Sequence, residues 1–247
     1  NVLIKKYLME PINFRYAEHY KKDADEFDYF EERNGATEHD ERRLREYIIP
    51  LIPDSADTIL DVGCGSAWIA KNMLPKKKKV ISLDISVTNP QKALSIYPSL
   101  NHSGLTADSF TLPFKDNTFD CIVASEIIEH VVSPADFVKE LLRVLKPSGK
   151  LIISTPYKEK IQYVLCIHCN KTTPLHSHIH SFDEKMLMSY PVNCKTILHK
   201  TGNKALLHLR TYILLKYLPF KLWNITDKLA NAIIPKQAHI IAEYKKL

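Results

Sequence analysis

Apolar residues between positions 57 and 156 follow two alternating patterns. Short continuous apolar runs are typical of buried strands, and apolar residues that recur every three or four positions are typical of amphipathic helices. The runs predict five strands, at 58–62, 79–83, 104–107, 119–124 and 151–154. The stretches between them predict helices at 66–74, 91–97 and 134–145. This alternation favours an α/β fold in which a mostly parallel sheet carries helices on both faces.

The two flanks of this region follow other patterns. Residues 14–50 alternate aromatic and charged positions and contain a helix predicted at 38–49, which Pro50 ends. Residues 157–193 carry few regular signals and many His, Cys and Pro residues. Neither flank is of low complexity.

The carboxyl-terminal part predicts two more strands, near 194–199 and 238–244. Residues 203–234 between them predict helices that are broken at Pro219. No sharp shift in composition divides the chain, so we expect a single domain over residues 1–247. Its core is expected at about 57–156, completed by the two later strands.

Composition narrows the class of protein. Of the 247 residues, 45% are hydrophobic and 25% charged, as in soluble globular proteins. The net charge of +6 belongs to the last fifth, where nine basic residues from Lys200 onward face two acidic ones. Five cysteines without an apolar export signal favour reduced thiols and a cytoplasmic location. No run of eighteen apolar residues exists, so a membrane span is not expected.

A glycine turn gives the strongest chemical signal. The segment 59–67, ILDVGCGSA, is a strand that ends in a turn at Gly63 and Gly65 and opens a helix. Glycines let the backbone approach a ligand closely, and a helix N-terminus offers free N–H groups. Taken alone, such a turn often does no more than join a strand to a helix.

Three acidic residues strengthen this signal, because each lies at the end of a different predicted strand. Asp61 precedes the glycine turn, Asp84 follows it by twenty-one residues, and Asp108 ends the third strand. A carboxylate at the second position can accept both hydroxyls of a ribose, and open α/β sheets bind ligands at this edge. Each acid alone could equally be a helix cap or turn residue.

A resemblance to class I S-adenosylmethionine-dependent methyltransferases, the group that includes ubiquinone and menaquinone biosynthesis enzymes, rests on four stretches. They are "ILDVGCGSA", "VISLDIS", "ADSFTLPFKDNTFDCIVASEIIEHV" and "ELLRVLKPSGKLIISTP", over about residues 57–156. The resemblance implies a Rossmann-like seven-stranded, mostly parallel sheet with an antiparallel last strand. It implies methyl transfer from S-adenosylmethionine to a small-molecule or lipid-like acceptor, with residues 1–56 and 157–237 as lid and acceptor pocket.

The resemblance also implies a set of cofactor-binding residues. Asp61, Gly63 and Gly65 would shape the methionine pocket, and Asp84 with Ile85 would bind the ribose. Asp108 and Ser109 would face the adenine, while Ser125 and Glu126 would lie beside the cofactor. One departure is Ala67, where the family usually has a third glycine; because alanine adds only a methyl group, we expect binding to survive.

Two other classes of function remain open. A non-catalytic relative would bind the cofactor, or have lost it, and serve as a scaffold. A nicotinamide-dependent oxidoreductase would use a similar crevice, but its G-x-G-x-x-G motif would need glycine where Trp68 stands. Donor binding separates these alternatives from the methyltransferase.

The catalytic assignment depends on the acceptor. A general base is needed only when the acceptor carries a proton at working pH. His130 is the candidate, because imidazole titrates near neutrality and its loop borders the crevice, although it could instead pack the following segment. Glu129 is expected to be structural, and Glu126 to orient the amino acid end of the cofactor.

A zinc knuckle is a further hypothesis. Cys166 and Cys169 have C-x-x-C spacing, and His178 and His180 follow within reach of a tetrahedral site. Two thiolates and two imidazoles suit a structural zinc that would pin residues 157–193. Reduced cysteines without metal, and a histidine-lined acceptor site, are the alternatives.

The basic carboxyl-terminal helices are the part of the chain that could contact a membrane or a nucleic acid. Residues 203–234 carry Leu, Ile, Tyr and Trp between Lys and Arg. Such helices most often pack over a sheet edge, and contact with an anionic membrane is the sharper hypothesis. Nucleic acid is disfavoured, since no aromatic-interleaved basic motif occurs. The oligomeric state is left open.

Overall fold

The computed structural model of the chain describes residues 14–167, 170–191 and 193–247. Its main element is a seven-stranded sheet of order β3-β2-β1-β4-β5-β9-β8, accompanied by a two-stranded hairpin, β6-β7. The strands are β1 (Thr58–Val62), β2 (Lys79–Asp84), β3 (His102–Thr106), β4 (Phe119–Ser125), β5 (Leu145–Pro156), β6 (Tyr163–Leu165), β7 (Thr172–Pro174), β8 (Cys194–Asn203) and β9 (Gln237–Lys246).

Nine α-helices connect or cover these strands in the described residues. They are α1 (Tyr16–Glu26), α2 (Gly35–Ile48), α3 (Trp68–Met73), α4 (Thr88–Ile96), α5 (Pro134–Val144), α6 (Glu184–Ser189), α7 (Lys204–His208), α8 (Tyr212–Leu215) and α9 (Phe220–Ile233). Short 3₁₀ turns follow α2 and α3 and occupy Ile128–His130 and Leu175–Ser177.

Strand directions confirm the expected fold class. β1 pairs in parallel with β2 and β4, and β5 joins β4 in parallel. β9 runs antiparallel to both of its neighbours, β5 and β8. The sheet is therefore mostly parallel with an antiparallel last strand, as the resemblance implies. β5, β8 and α2 are longer than predicted, because ladder and helix hydrogen bonds continue into polar residues that carry no apolar signal.

Alternate residues of the buried strands supply two hydrophobic cores, one on each face of the sheet. Ile59, Cys121 and Ile152 pack toward α2 and α3, where Ile48 and Ile69 are fully buried. Their neighbours in sequence face the opposite side and pack against α5. That side includes Leu60, Ile122, Ile153, Phe137, Val138, Leu141 and Val144. Helices on both faces follow from this division.

A buried arginine fastens the carboxyl-terminal helices to α2. The Arg43 guanidinium donates to the carbonyls of Leu215 and Leu218 at 2.7 and 2.8 Å and pairs with Glu46 at 2.8 Å. Its side chain is only 2% exposed and lies over the ring of Trp223. The segment after α7 is thus held by the Arg43 hydrogen bonds, and by one from Arg42 to the carbonyl of Lys216 at 2.7 Å, as well as by packing.

In the ranges that the structure describes, no helix is long and apolar enough to cross a membrane.

Candidate functional site

The glycine turn has a left-handed backbone. Gly63 and Gly65 have φ angles of +65° and +45°, and Ala67, which precedes α3, has +52°. A β-carbon at Gly63 would lie 2.2 Å from Ile127 Cδ1, closer than atoms can pack. The turn is tied to β2 because Cys64 N–H donates to Leu83 O at 2.9 Å. Glycine is therefore required at position 63 by both conformation and space.

Two of the predicted acids lie buried beside this turn. Asp84 accepts hydrogen bonds from Ser86 N–H at 3.0 Å and from Asn89 Nδ2 at 3.1 Å. Asp61 is 3% exposed, and its Oδ2 has no hydrogen-bond partner among the described residues. Burial and the charge of Asp84 raise the pKa of Asp61 well above its usual value. An unpaired buried carboxyl oxygen is costly, so this position calls for a donor group from a ligand.

The third acid, Asp108, follows β3 and is partly buried with Ser109. Its Oδ1 accepts from Phe110 N–H at 3.0 Å, and its Oδ2 accepts from the Tyr16 hydroxyl at 2.5 Å. Ile85, directly after Asp84, is also partly buried. The predicted ribose and adenine residues therefore lie at the carboxyl ends of adjacent strands, as expected.

Helix α1 and the turn after it cover this edge of the sheet. Tyr16 contacts Asp108, and Asp25 accepts from Thr88 Oγ1 of α4 at 2.8 Å. The Tyr29 ring packs on the glycine turn, 3.4 Å from the position of a Gly65 β-carbon. Burial, then its hydrogen bond to Asp23, raises the pKa of Tyr29 far above its usual value. The amino-terminal segment thus occupies the position expected of a lid.

Glu126, after β4, takes part in a chain of charged groups. Its backbone is left-handed, with φ +57°, and its Oε1 accepts from Ser154 Oγ at 2.9 Å. Its Oε2 lies 3.2 Å from His239 Nδ1, and His239 Nε2 lies 2.9 Å from Asp40. Burial lowers the pKa of His239, but the two carboxylates outweigh burial and hold it well above its usual value. Ser125, next to Glu126, also bonds Ser154.

His239 and Asp40 are site residues that the sequence reasoning missed. They lie 199 positions apart in the chain, on β9 and α2. No local motif surrounds either of them, and only the position of β9 beside β5 brings His239 to Glu126. The apolar run of β9 that follows His239 predicts the strand but not its partner.

His130 lies in a more apolar setting than the sequence suggests. Burial, then the charge of His178, lowers the pKa of His130 to about 4. The premise that it titrates near neutrality is wrong for this structure, because the imidazole is neutral at pH 7 and is a weak base. Its ring packs against Tyr20 of α1 at 5.5 Å and against His178 at 4.8 Å between centroids.

The predicted zinc ligands are only partly described. Cys169 lies outside the described residues, and Cys166 directly follows β6, at the start of the β6-β7 hairpin loop. His178 contacts Glu159, and His180 lies on the loop after it. Among the described His, Cys, Asp and Glu residues, the group close enough to share one ion is Glu129, His130 and His178. The zinc knuckle stays a prediction.

Comparison with known proteins agrees with this geometry. Residues 60–153 match the family model described as a methyltransferase domain. The chain carries a methyltransferase domain. The resemblance inferred from the four sequence stretches is therefore confirmed for this part of the chain.

Relatives of the methyltransferase domain include enzymes that act on different molecules. The mitochondrial ubiquinone biosynthesis O-methyltransferase of Schizosaccharomyces pombe is 30% identical over 50% of this chain and 48% of its own. The malonyl-[acyl-carrier protein] O-methyltransferase of a Marinomonas species is 33% identical over 44% of this chain and 42% of its own. The chain thus spans less than half the length of these relatives.

A solved structure extends the likeness to most of the chain. An S-adenosylmethionine-dependent methyltransferase from Mesorhizobium loti superimposes with a TM-score of 0.59, covering 84% of this chain and 100% of that one. The sequence identity is 14%, so the likeness concerns the fold alone. The shared fold is the Rossmann-like sheet with its helices, and it extends beyond residues 60–153.

Proposed function

We propose that the protein transfers a methyl group from S-adenosylmethionine to a small-molecule or lipid-like acceptor. The observation that carries this proposal is the group formed by Asp61, Asp84 and Asp108 at the ends of three adjacent strands, beside the left-handed turn at Gly63 and Gly65. This is the edge at which open α/β sheets bind nucleotide-like ligands.

In this proposal each group meets one part of the donor. The unpaired Asp61 oxygen accepts from the amino group of the methionine end, and Asp84 accepts from the ribose hydroxyls. Asp108 and Ser109 face the adenine, and Ser125 and Glu126 lie beside the sulfonium. Tyr16 and Tyr29 then have to move off the crevice before the donor enters, because both now contact it.

Methyl transfer requires no covalent intermediate with the protein. The reaction is an in-line displacement at a sulfonium, and alignment in a dry pocket supplies much of the acceleration. Burial lowers the pKa of His130 to about 4, so the proposal does not rely on this imidazole as a strong general base. The buried thiols Cys64 and Cys121 fit a reducing compartment such as the cytoplasm.

Calorimetry with S-adenosylmethionine and with S-adenosylhomocysteine tests the proposal. We expect both to bind the full chain, and Asp84→Asn to weaken binding at least tenfold, or about 1.4 kcal/mol. Asp54→Asn, an exposed acid in the loop before β1, is the matched control and should change affinity less than about twofold, a difference of a few tenths of a kcal/mol.

Two outcomes would contradict the assignment. If neither S-adenosylmethionine nor S-adenosylhomocysteine gives binding heat, the protein would be a non-catalytic scaffold that has lost the cofactor. Binding of a nicotinamide dinucleotide instead would favour an oxidoreductase. An unchanged affinity in Asp84→Asn would remove Asp84 from the ribose site.

A further inference from the structure

Three side chains with metal-ligating atoms converge where the turn after β4 meets the 175–180 loop. One ligand atom each from Glu129, His130 and His178 lies within 4.8 Å of the other two. Glu129 and His130 belong to the 3₁₀ turn after β4, and His178 follows the 3₁₀ turn Leu175–Ser177. The cluster thus joins two segments that are almost fifty residues apart in the chain.

The backbone holds these two segments together. The carbonyl of Glu129 accepts from the N–H of Ile179 at 2.9 Å and from that of His180 at 3.2 Å. His176 and Ser177, just before His178, both have left-handed φ angles, near +58°. Such conformations persist in non-glycine residues only where surrounding contacts impose them. The approach of His178 to Glu129 is therefore built into the fold.

One carboxylate oxygen of Glu129 is buried without a hydrogen-bond partner among the described residues. Glu129 is 1% exposed, and its Oε2 accepts from Thr155 Oγ1 at 2.9 Å. Its Oε1 is buried and has no hydrogen-bond partner among the residues described. A cation at Oε1 would give this buried oxygen the partner that the described residues do not supply.

The two histidines are oriented as metal ligands commonly are. His178 Nδ1 lies 2.5 Å from Glu159 Oε2, and a carboxylate on one ring nitrogen fixes the ring so that the other nitrogen can ligate. His130 Nδ1 faces the carbonyl of Ser177 at 3.4 Å, which leaves its Nε2 on the opposite side of the ring. The Nδ1 contacts leave the Nε2 of each ring available as a ligand, and one ligand atom of each ring lies within 4.8 Å of the other and of a Glu129 oxygen.

We propose that Glu129, His130 and His178 bind a divalent transition-metal ion. Two imidazole nitrogens and one carboxylate oxygen suit zinc, cobalt or nickel better than magnesium or calcium. Three protein ligands leave coordination positions open. Glu126, which the proposed function sets beside the sulfonium, belongs to the same segment after β4 as Glu129 and His130. An oxygen of the acceptor would fill an open position; this last step rests on the proposed methyl transfer. The site differs from the zinc knuckle because it uses no cysteine.

Metal titration of the full chain tests the proposal. After removal of metal with a chelator, we expect one equivalent of Zn²⁺ by calorimetry, and visible absorption bands on addition of Co²⁺ from nitrogen and oxygen ligands. His178→Ala and Glu129→Gln should each weaken Zn²⁺ binding at least tenfold, about 1.4 kcal/mol. They should also abolish the Zn²⁺-dependent rise in unfolding temperature.

Two matched variants act as controls. His176→Ala removes an exposed histidine two residues from His178, and Cys166→Ser removes a predicted knuckle ligand. Both should bind Zn²⁺ like the unaltered chain. Loss of binding in Cys166→Ser with retention in Glu129→Gln, or no Zn²⁺ binding by the unaltered chain, would overturn the proposal.

Donor titrations on the same samples separate the two proposals. If S-adenosylhomocysteine binds but Zn²⁺ does not, the metal site fails alone. If Zn²⁺ binds but neither S-adenosylmethionine nor S-adenosylhomocysteine does, the proposed methyl transfer fails and the metal site stands.

Discussion

The two ends of the crevice are built in contrasting ways. The proposed donor end, at Asp61, the Gly63–Gly65 turn, Asp84 and Asp108, comes from three successive strands and the segments that follow them. The proposed acceptor end brings Glu129 and His130 together with the 175–180 loop, and at its border Glu126 of the proposed donor site meets His239 of β9, which contacts Asp40 of α2. The first end depends on local backbone geometry, whereas the second depends on contacts between distant parts of the chain. The two should therefore fail under different substitutions.

The largest expected effect concerns the contacts that hold the acceptor side. Arg43→Met removes the guanidinium from two buried carbonyls and from Glu46, which should lower the free energy of unfolding by about 3 kcal/mol. Arg45→Met, on the same helix, breaks only a partly exposed pair with Glu41 and should cost less than about 1 kcal/mol.

Urea unfolding followed by circular dichroism measures both variants. Equal midpoints for Arg43→Met and Arg45→Met would show that the carboxyl-terminal helices do not depend on this long-range contact. That result would contradict the claim that the acceptor side depends on contacts between distant parts of the chain.

A smaller effect is expected at the donor end and should be local. Gly63→Ala places a methyl group against Ile127 in a left-handed turn and should weaken S-adenosylhomocysteine binding at least tenfold, about 1.4 kcal/mol. Gly35→Ala has the same φ of +65°, but its β-carbon would lie 3.8 Å from Tyr212, an ordinary contact. It should lose about 1 kcal/mol of stability without any loss of donor affinity.

Calorimetry and urea unfolding of this pair separate backbone strain from crowding. If Gly35→Ala weakened the donor as much as Gly63→Ala does, the loss would reflect general destabilisation, and the local character of the donor end would be wrong.

The smallest effect concerns the outer surface of the acceptor side. Leu222, Ile225, Leu229 and Ile233 form an exposed stripe on α9, opposite the buried Trp223 and Asp227. Lys221 and Lys228 lie beside this stripe and are exposed, so contact with an anionic membrane stays a prediction. Leu229→Glu should reduce the fraction that sediments with vesicles of phosphatidylcholine and phosphatidylglycerol about twofold to fivefold, a difference of roughly 0.4–1 kcal/mol.

Leu100→Glu is the control for this experiment. Leu100 is fully exposed in the loop before β3, at the opposite edge of the sheet. Equal loss of sedimentation in both variants, or no binding by the unaltered chain, would contradict the membrane hypothesis.

The same contrast explains what the sequence could and could not predict. The strands, the glycine turn and the three acids follow from apolar periodicity and from residue types within about fifty positions, so the predicted positions agree closely with the structure. The roles assigned to these residues stay predictions. The pKa of His130 depends on burial by Tyr20 and neighbours that no local pattern reveals.

Contacts between residues far apart in the chain could not be predicted from the sequence, because they depend on how distant segments pack. His239 with Asp40, and His178 with Glu129, meet only because β9 enters the sheet and the 175–180 loop folds onto β4. Neither residue of either pair carries a signal of its partner. Glu129, expected to be only structural, has an unpaired oxygen that became visible once these segments were in place.

The position of β9 has a consequence for synthesis of the protein. Although it follows β1 to β8 along the chain, it lies between β5 and β8 in the sheet. Until residues 237–246 emerge, β5 has an open edge and β8 has no strand to join, and unpaired strand edges favour aggregation. Nascent chains should therefore bind chaperones most strongly just before this strand is complete, and the Glu126–His239 pair can form only after it.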